Sequence, residues 1–277
     1  MSDISELREK IDALDSELLR LLNERASVAR EIGVIKNREN LPVYSPDREI
    51  KLLRSLVGRS DGPLRPEAIR AIYREIMSAS LALEKDMAIA CPGPAGSPAH
   101  QAALAKFGSS VRYTLAHDVA GVFQVVSSGE ADCGVIPLED PAHGILNQTL
   151  DELASSELPI CAEIYPENAG DEPAPRFLVL GRSPGAPSGH DQTMLMLRIE
   201  NKPGALVSAL EPFRNMEINL NHFASRPAMK GSDDIFFFVQ ADGHVNDARF
   251  SELSRELSKK CRAIKVLGSY PKREDLS

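Results

Sequence analysis

The apolar positions near the start of the chain fall on one stripe. From Leu14, alternating steps of four and three give Leu14, Leu18, Leu21, Arg25, Val28, Ile32 and Ile35. This is the spacing of a helix face packed against other helices, and it predicts one long helix over residues 5–38. Ser45 then stands as an N-cap before Pro46, with Asp47 and Glu49 in the first turn, so a second helix is expected over 46–58. The stretch GRSDGP ends it, and Pro66 opens a third helix that runs to about Lys85. Three helices of such unequal length do not enclose a core alone. The long one is expected to pair with a second copy of the chain, giving a homodimer.

After Asp86 the pattern alternates. Strands are expected at 87–91, 111–114, 133–137 and 159–164, with helices at 99–107, 119–127 and 146–153, which is an α/β unit. Residues 165–191 carry Pro166, Pro173, Pro175, Pro184 and Pro187 and read as linker around one strand, 177–180. A third unit follows, with strands at 194–199, 218–223, 235–239 and 264–267 and helices at 205–214 and 248–259. Its order, βαββαβ, is the ferredoxin-like arrangement. The boundaries are therefore 1–85, 86–181, a linker at 182–192, and 193–277.

Composition narrows the function classes. A net charge of −8 argues against nucleic acid as the main partner. The absence of Trp and an aromatic content of 5% argue against a single-strand stacking platform. No apolar run approaches bilayer length, and the charged N-terminus has no apolar signal core, so a cytoplasmic protein without membrane contact is expected. Cys91, Cys133, Cys161 and Cys261 are scattered, with no CxxC pair. They read as free thiols, and neither zinc nor disulfides are expected.

Arg25 is the anomaly in the first stripe. A guanidinium on an apolar seam is costly unless a fixed anion meets it. The anion is either a carboxylate on a neighbouring helix or a small molecule held among the helices. Arg8, Lys36, Arg48, Glu49, Ser80 and Glu84 also fall on or beside the apolar faces. Arg25 and Lys36 differ by about 20° around the helix and about 16 Å along it, so both side chains can lean toward one ligand. Arg8 lies about 25 Å from Arg25 along the same helix and can reach such a site only in a second copy of the chain. Ser80 and Glu84 form an i, i+4 pair that continues the stripe Ile69, Tyr73, Ile76. Four cations, a hydroxyl and two carboxyl groups suit a compact dianion. With no His, no Cys nucleophile, no metal cluster and no Gly-rich phosphate loop among them, the set suggests a reaction driven by shape and charge rather than covalent catalysis.

At this point the residues resemble a known family. LREKIDALDSELLRLLNER, then Lys36, LPVYSPDRE and REIMSASLALEK look like the all-helical chorismate mutase, in particular the mutase fused to prephenate dehydratase in bacterial phenylalanine synthesis. That family is an interlocked homodimer. The resemblance implies that Arg25 and the partner's Arg8 bind substrate carboxylate and that Lys36 meets the ether oxygen and a carboxylate. It further implies that Arg48 helps set the charge of the site, Glu49 takes the ring hydroxyl and Ser80 contacts a carboxylate. Glu84 stands where a second ether-oxygen donor belongs, which some members fill with Gln. A carboxyl donates only when protonated, so activity is expected to fall as pH rises.

The middle unit resembles the prephenate dehydratase catalytic domain, with losses. Ala95 and Ser97 stand where Glu and Thr are usual, and Asp140 and Pro141 replace Asn and Ser, while Glu139, Gly144 and Thr149 remain. The Thr-Arg-Phe motif reads Pro175-Arg176-Phe177, and the chain passes almost directly from PICAEIYPE to PRFLVLG, leaving no room for the family's second lobe. Glu139, Thr149 and His143 are accordingly expected to be scaffold. The last unit resembles the ACT regulatory domain: Gly204, Ala205, Leu206 and Val207 form its turn, and Ser225, Arg226 and Pro227 follow Ala224, where Glu is usual. These segments imply phenylalanine as an effector. The expected fold is multidomain α and α/β: an all-helical chorismate mutase domain, a one-lobe α/β remnant of prephenate dehydratase and a βαββαβ ACT domain. The expected function is a chorismate mutase without dehydratase activity. The alternatives are a mutase acting on 4-amino-4-deoxychorismate and a non-catalytic amino-acid sensor.

Overall fold

The computed structural model describes residues 3–39, 41–165, 175–227 and 233–272. The helical part consists of α1 (Ile4–Glu39), α2 (Pro46–Arg59) and α3 (Pro66–Glu84). Each boundary lies within a residue or so of the pattern-based expectation. Ser45 takes the N-cap position with an extended backbone, but its side chain makes no capping hydrogen bond. The expected capping role is therefore corrected: Pro46, Asp47 and Glu49 carry the start of α2.

Helix α1 has two halves with different surroundings. Every described residue from Asp3 to Glu24 is exposed, including Leu14 at 64% and Leu18 at 56%. The second half packs on α3 and crosses it at Gly33. A Cβ on Gly33 would stand 2.5 Å from Glu84 Cα and 2.6 Å from Glu84 O. Close approach of the two backbones explains a glycine in the middle of a helix, where it otherwise costs about 1 kcal/mol against alanine.

The α/β unit holds a six-stranded sheet built from β1 (Ala88–Pro92), β2 (Arg112–Ala116), β3 (Cys133–Asp140), the short β4 (Gly144–Ile145), β5 (Ile160–Ile164) and β6 (Arg176–Gly181). The order is β2-β1-β3-β6-β5, with β4 paired to β3. Strands β1, β2 and β3 run parallel through α4 (Pro98–Phe107) and α5 (Val119–Ser128), while β6 is antiparallel to both β3 and β5. Helix α6 (Asn147–Ser155) lies between β4 and β5. The two-residue β4 was not expected; Gly144 at φ 67° makes the tight return onto Asp140.

The last unit is β7 (Asp191–Glu200), α7 (Ala205–Asn215), β8 (Leu220–Pro227), β9 (Asp234–Asp242), α8 (Ala248–Leu257) and β10 (Ala263–Pro271). Its antiparallel sheet has the order β10-β7-β9-β8, as a βαββαβ chain requires. The linker expected at 182–192 is shorter. Asp191 and Gln192 already belong to β7 and are buried, and Asp191 accepts hydrogen bonds from the backbone N–H groups of Ser188 and Gly189 at 2.8 and 3.1 Å. Those bonds give the proline-rich stretch partners of its own, which composition does not reveal.

The two sheets share a core. One apolar cluster runs from Ala88, Val122, Ile136, Leu178 and Leu180 of the α/β unit into Met194, Phe238, Leu267 and Tyr270 of the last unit. Strand β10 presses so closely on β5 that a Cβ on Gly268 would stand 2.1 Å from Ile160 O. The opposite face of the six-stranded sheet carries α4 and a second cluster, against which Tyr44 and Leu81 of the helical part pack. No helix among the described residues is long and apolar enough to cross a membrane.

Gly33→Ala sets helix propensity against this clash. Alanine gains about 1 kcal/mol as a helix former, but the atoms it meets are backbone of α3 and cannot swing away. Overpacking is expected to win, for a net loss of about 1–2 kcal/mol. Chemical denaturation checks it; equal or greater stability in the variant would refute the close crossing.

Candidate active site

Six of the seven charged or hydroxylic residues singled out in the helical third line one cavity of about 210 Å³: Arg25, Lys36, Arg48, Glu49, Ser80 and Glu84. Arg25, Lys36 and the Ser80–Glu84 pair face each other because α1 and α3 pack side by side at Gly33. Arg48 and Glu49 enter from the first turn of α2. Arg8 is exposed on the free half of α1 and is not brought to the others, as the distance along the helix dictates.

The polar contacts are specific. Lys36 Nζ donates to Glu84 Oε2 at 2.7 Å and to the Val43 carbonyl at 2.9 Å, tying α1 to α3 and to the connection before α2. Their side chains are only 15% and 11% exposed, a setting in which an ion pair is less screened than at the surface. Arg25 donates to the Ser80 hydroxyl, and Ser80 in turn donates to the Ile76 carbonyl at 2.9 Å. Arg25 thus has a hydroxyl and not a carboxylate opposite it. Neither Arg25 nor Arg48 has an acidic partner among the described residues.

The pattern did not anticipate the outer wall. Lys106 and Phe107, from the last turn of α4 in the α/β unit, complete the cavity. Lys106 Nζ donates to Glu49 Oε1 at 3.0 Å, and the Phe107 ring lies 4.9 Å from that of Tyr44. The Tyr44 hydroxyl is buried with no hydrogen-bond partner. Burial, with Glu49 close by, pushes that phenol well up, so it stays neutral. Lys106 and Phe107 sit on an ordinary helical pattern 57 residues from Glu49 in sequence, and no local signal marks them.

The residues inherited from the dehydratase pattern have other partners. Arg176 donates to Glu163 at 2.9 Å, to Gln240 Oε1 at 2.9 Å and to His222 Nδ1 at 2.8 Å, and its guanidinium lies 3.4 Å from Glu139. Gln192 and Gln240 donate to the other Glu163 oxygen at 2.8 and 2.9 Å. Arg176 therefore clamps the α/β unit to the last unit. Thr149 is fully buried and donates to the Pro137 carbonyl at 2.6 Å. Ser97 caps α4, accepting from His100 N at 3.3 Å. His143 is exposed and bonds Asp140 at 2.8 Å. Cys91, Cys133 and Cys161 are buried free thiols, and Cys261 is half-buried.

In the last unit, Gly204, Ala205, Leu206 and Val207 form the left-handed entry to α7, with Gly204 at φ 79°. Ser225, Arg226 and Pro227 end β8. Both segments lie at the C-terminal ends of β7 and β8, at one end of the sheet, with β9 between those strands. The Arg226 guanidinium is engaged by Asp151 of α6, at 2.7 Å through Nε.

A helical unit with a charge-lined cavity, joined to an α/β unit and a second sheet, defines the class. A family model for chorismate mutase type II matches residues 7–85 and one for prephenate dehydratase matches residues 89–167. A bifunctional chorismate mutase/prephenate dehydratase of Aquifex aeolicus is 32% identical over 357 aligned positions, covering 98% of this chain and 99% of the relative. A protein of the same description from Pseudomonas aeruginosa is 29% identical, covering 96% and 97%. The chain belongs to the bifunctional chorismate mutase/prephenate dehydratase family. The 357 aligned positions exceed the 277 residues of the chain, so a stretch of the relative has no counterpart here. Among solved structures, prephenate dehydratase from Streptococcus mutans matches with a TM-score of 0.57 at 29% identity, over 66% of this chain and 97% of its own. The enzyme from Arthrobacter aurescens in complex with L-Phe shares the fold, with a TM-score of 0.60 at 20% identity over 67% and 90%.

The Arg176 clamp predicts a pH dependence. Arginine has only donors, so His222 Nδ1 must accept and its ring stays neutral. Burial first, then the neighbouring guanidinium, lowers the His222 pKa from 6.5, outweighing the opposing pull of Glu139 and Glu163. The unfolded chain therefore binds a proton that the folded chain refuses, and stability falls as pH drops below about 6.5. His222→Gln should flatten this limb in thermal melts. Arg176→Met, which leaves Glu163 buried without its cation, should cost about 3 kcal/mol or more. A His222→Gln melt curve with the same acid limb would refute the assignment.

Proposed function

We propose that this protein is a chorismate mutase, converting chorismate to prephenate by a cofactor-free [3,3] rearrangement, and that it no longer dehydrates prephenate. The observation that carries the first half is the charge balance of the cavity. Glu84 and Glu49 are each neutralised by a lysine, while Arg25 and Arg48 have no acid opposite them. Two unanswered cations suit a dicarboxylate. In this reading Arg25, Arg48 and Ser80 hold the two carboxylates, and Arg8 of the partner subunit completes the site from a homodimer. The exposed apolar half of α1 supports such a dimer. Glu49 orients the ring hydroxyl, and Lys36, held in place by Glu84, stabilises the charge that grows on the breaking ether bond. Acceleration at the low end of enzymes is about 10⁶-fold, some 8 kcal/mol, which restriction to the folded conformer plus preorganised charge can supply.

Loss of dehydration rests on Arg176, whose donors are committed to Glu163, His222 and Gln240, on proline at position 175, and on a single sheet with no second lobe among the described residues. The relatives are bifunctional by description, so product analysis decides it. Purified protein should consume chorismate and accumulate prephenate that persists at neutral pH; phenylpyruvate above the acid-catalysed background would overturn the second half, and no turnover the first. Glu84→Gln keeps a partner for Lys36 and adds a neutral donor beside the ether oxygen, so it should retain turnover, while Glu84→Ala should lower kcat about 10²-fold. Unchanged kcat in Glu84→Ala would sink the role of Glu84 beside the ether oxygen.

The last unit is proposed to be an ACT domain with phenylalanine as effector. The placement of the Gly204–Val207 and Ser225–Pro227 segments at one end of the sheet supports it, and the Asp151 contact at Arg226 would have to open. Calorimetric titration with phenylalanine should give heat at millimolar concentrations or below; none would count against the effector.

A further inference from the structure

The Lys106–Glu49 pair joins two units that the family models match separately, and the position of Lys106 is built rather than incidental. The turn after α4 is bolted to α3: Ser109 donates to Glu75 through both N, at 3.1 Å, and Oγ, at 2.8 Å, and Ser110 N donates to Ser78 Oγ at 3.0 Å. Gly108, at φ 73°, lets this turn lie against Ser78, where a Cβ would stand 2.6 Å from Ser78 Cβ. The last turn of α4 is thereby fixed over the cavity, with the Lys106 and Glu49 side chains 18% and 16% exposed.

We infer that Lys106 is a specificity-determining residue of the mutase site, selecting a substrate whose ring carries a neutral hydroxyl over one that carries an ammonium. The inference rests on the mutase reading above. Lys106 occupies Glu49 Oε1, so in the mutase reading the ring substituent would be taken by Oε2. A hydroxyl donates one hydrogen bond there and adds no charge. An ammonium at the same oxygen would stand roughly 5 Å from the Lys106 ammonium, two cations on one carboxylate in a partly desolvated cavity. Even with generous screening that repulsion costs about tenfold in relative binding, and more as the cavity closes. Lys106 also holds Glu49 aimed, so it acts on substrate through Glu49 as a positioning residue.

The test compares kcat/KM for chorismate and for 4-amino-4-deoxychorismate in the full-length protein, Lys106→Gln and Lys106→Arg, each checked for fold by circular dichroism and thermal melting. General damage lowers both values together and cancels in their ratio. The unaltered protein should prefer chorismate, Lys106→Gln should cut that preference about tenfold or more, and Lys106→Arg should keep it. An unchanged ratio in Lys106→Gln, an equal fall in both variants, or a preference for the amino substrate in the unaltered protein would overturn the role of Lys106 and leave the mutase reading intact. Turnover of neither substrate by the unaltered protein would overturn the mutase reading itself.

Discussion

The Glu163 side chain is 2% exposed at the junction of the two sheets, and the geometry of that junction follows from meeting its charge. A carboxylate placed there without a cation costs several kcal/mol. Arg176 supplies the cation from β6, and Gln192 of β7 and Gln240 of β9 supply amide donors. Apolar contact alone would allow one sheet to slide on the other. Three donors converging on one carboxylate from three strands permit one placement. The Gln240 amide also donates to the Tyr270 hydroxyl at 2.9 Å, which extends the same constraint to β10.

The same rule operates among the helices with a different outcome. Glu84 is met by Lys36 across the α1–α3 crossing, and Glu49 by Lys106 from α4. The carboxylates are satisfied and two guanidinium groups are left over. In a core this would be a defect. In a cavity it suits an anion, and it favours the second of the two explanations that Arg25 allows. A hydroxyl, not a carboxylate, faces it, as the proposed dicarboxylate site requires.

The elements were legible because their signals are local. Pro46, Pro66 and the glycines of GRSDGP mark the helix ends, and alternation with short apolar runs marks the strands. The cavity residues of the helical third were legible because they break an apolar stripe. What escaped has no local signature. Lys106 falls in the last turn of α4, where a basic residue suits the helix dipole and needs no further explanation. Arg176 was visible as a surviving motif residue, but its partners Gln192, His222 and Gln240 lie in a unit that begins ten or more residues later. Ser45 carried a capping signal that its side chain does not honour. In each case the deciding contact joins different elements, and only tertiary packing assigns it.

That distribution bears on why an α/β unit would be kept if it no longer dehydrates. Helices α1–α3 leave their cavity open on the side of Tyr44 and Glu49, and the α/β unit closes it. Tyr44 and Leu81 pack on the cluster around Met87, Ala103 and Phe107. Removing that unit would expose this apolar face, strip Glu49 of its cation and unbolt α3 from the turn that Glu75 and Ser78 hold. The second sheet in turn covers the other side of the α/β unit through Met194, Phe238 and Tyr270. Each unit buries a surface that the next one needs covered, so losing one reaction need not release the domain that performed it. Helix α4 reaches the cavity with its C-terminal turn while its sheet is clamped at Glu163 to the unit proposed to sense an amino acid. The cavity is thus joined to that sheet through Lys106 and through Tyr44, which packs on the same cluster.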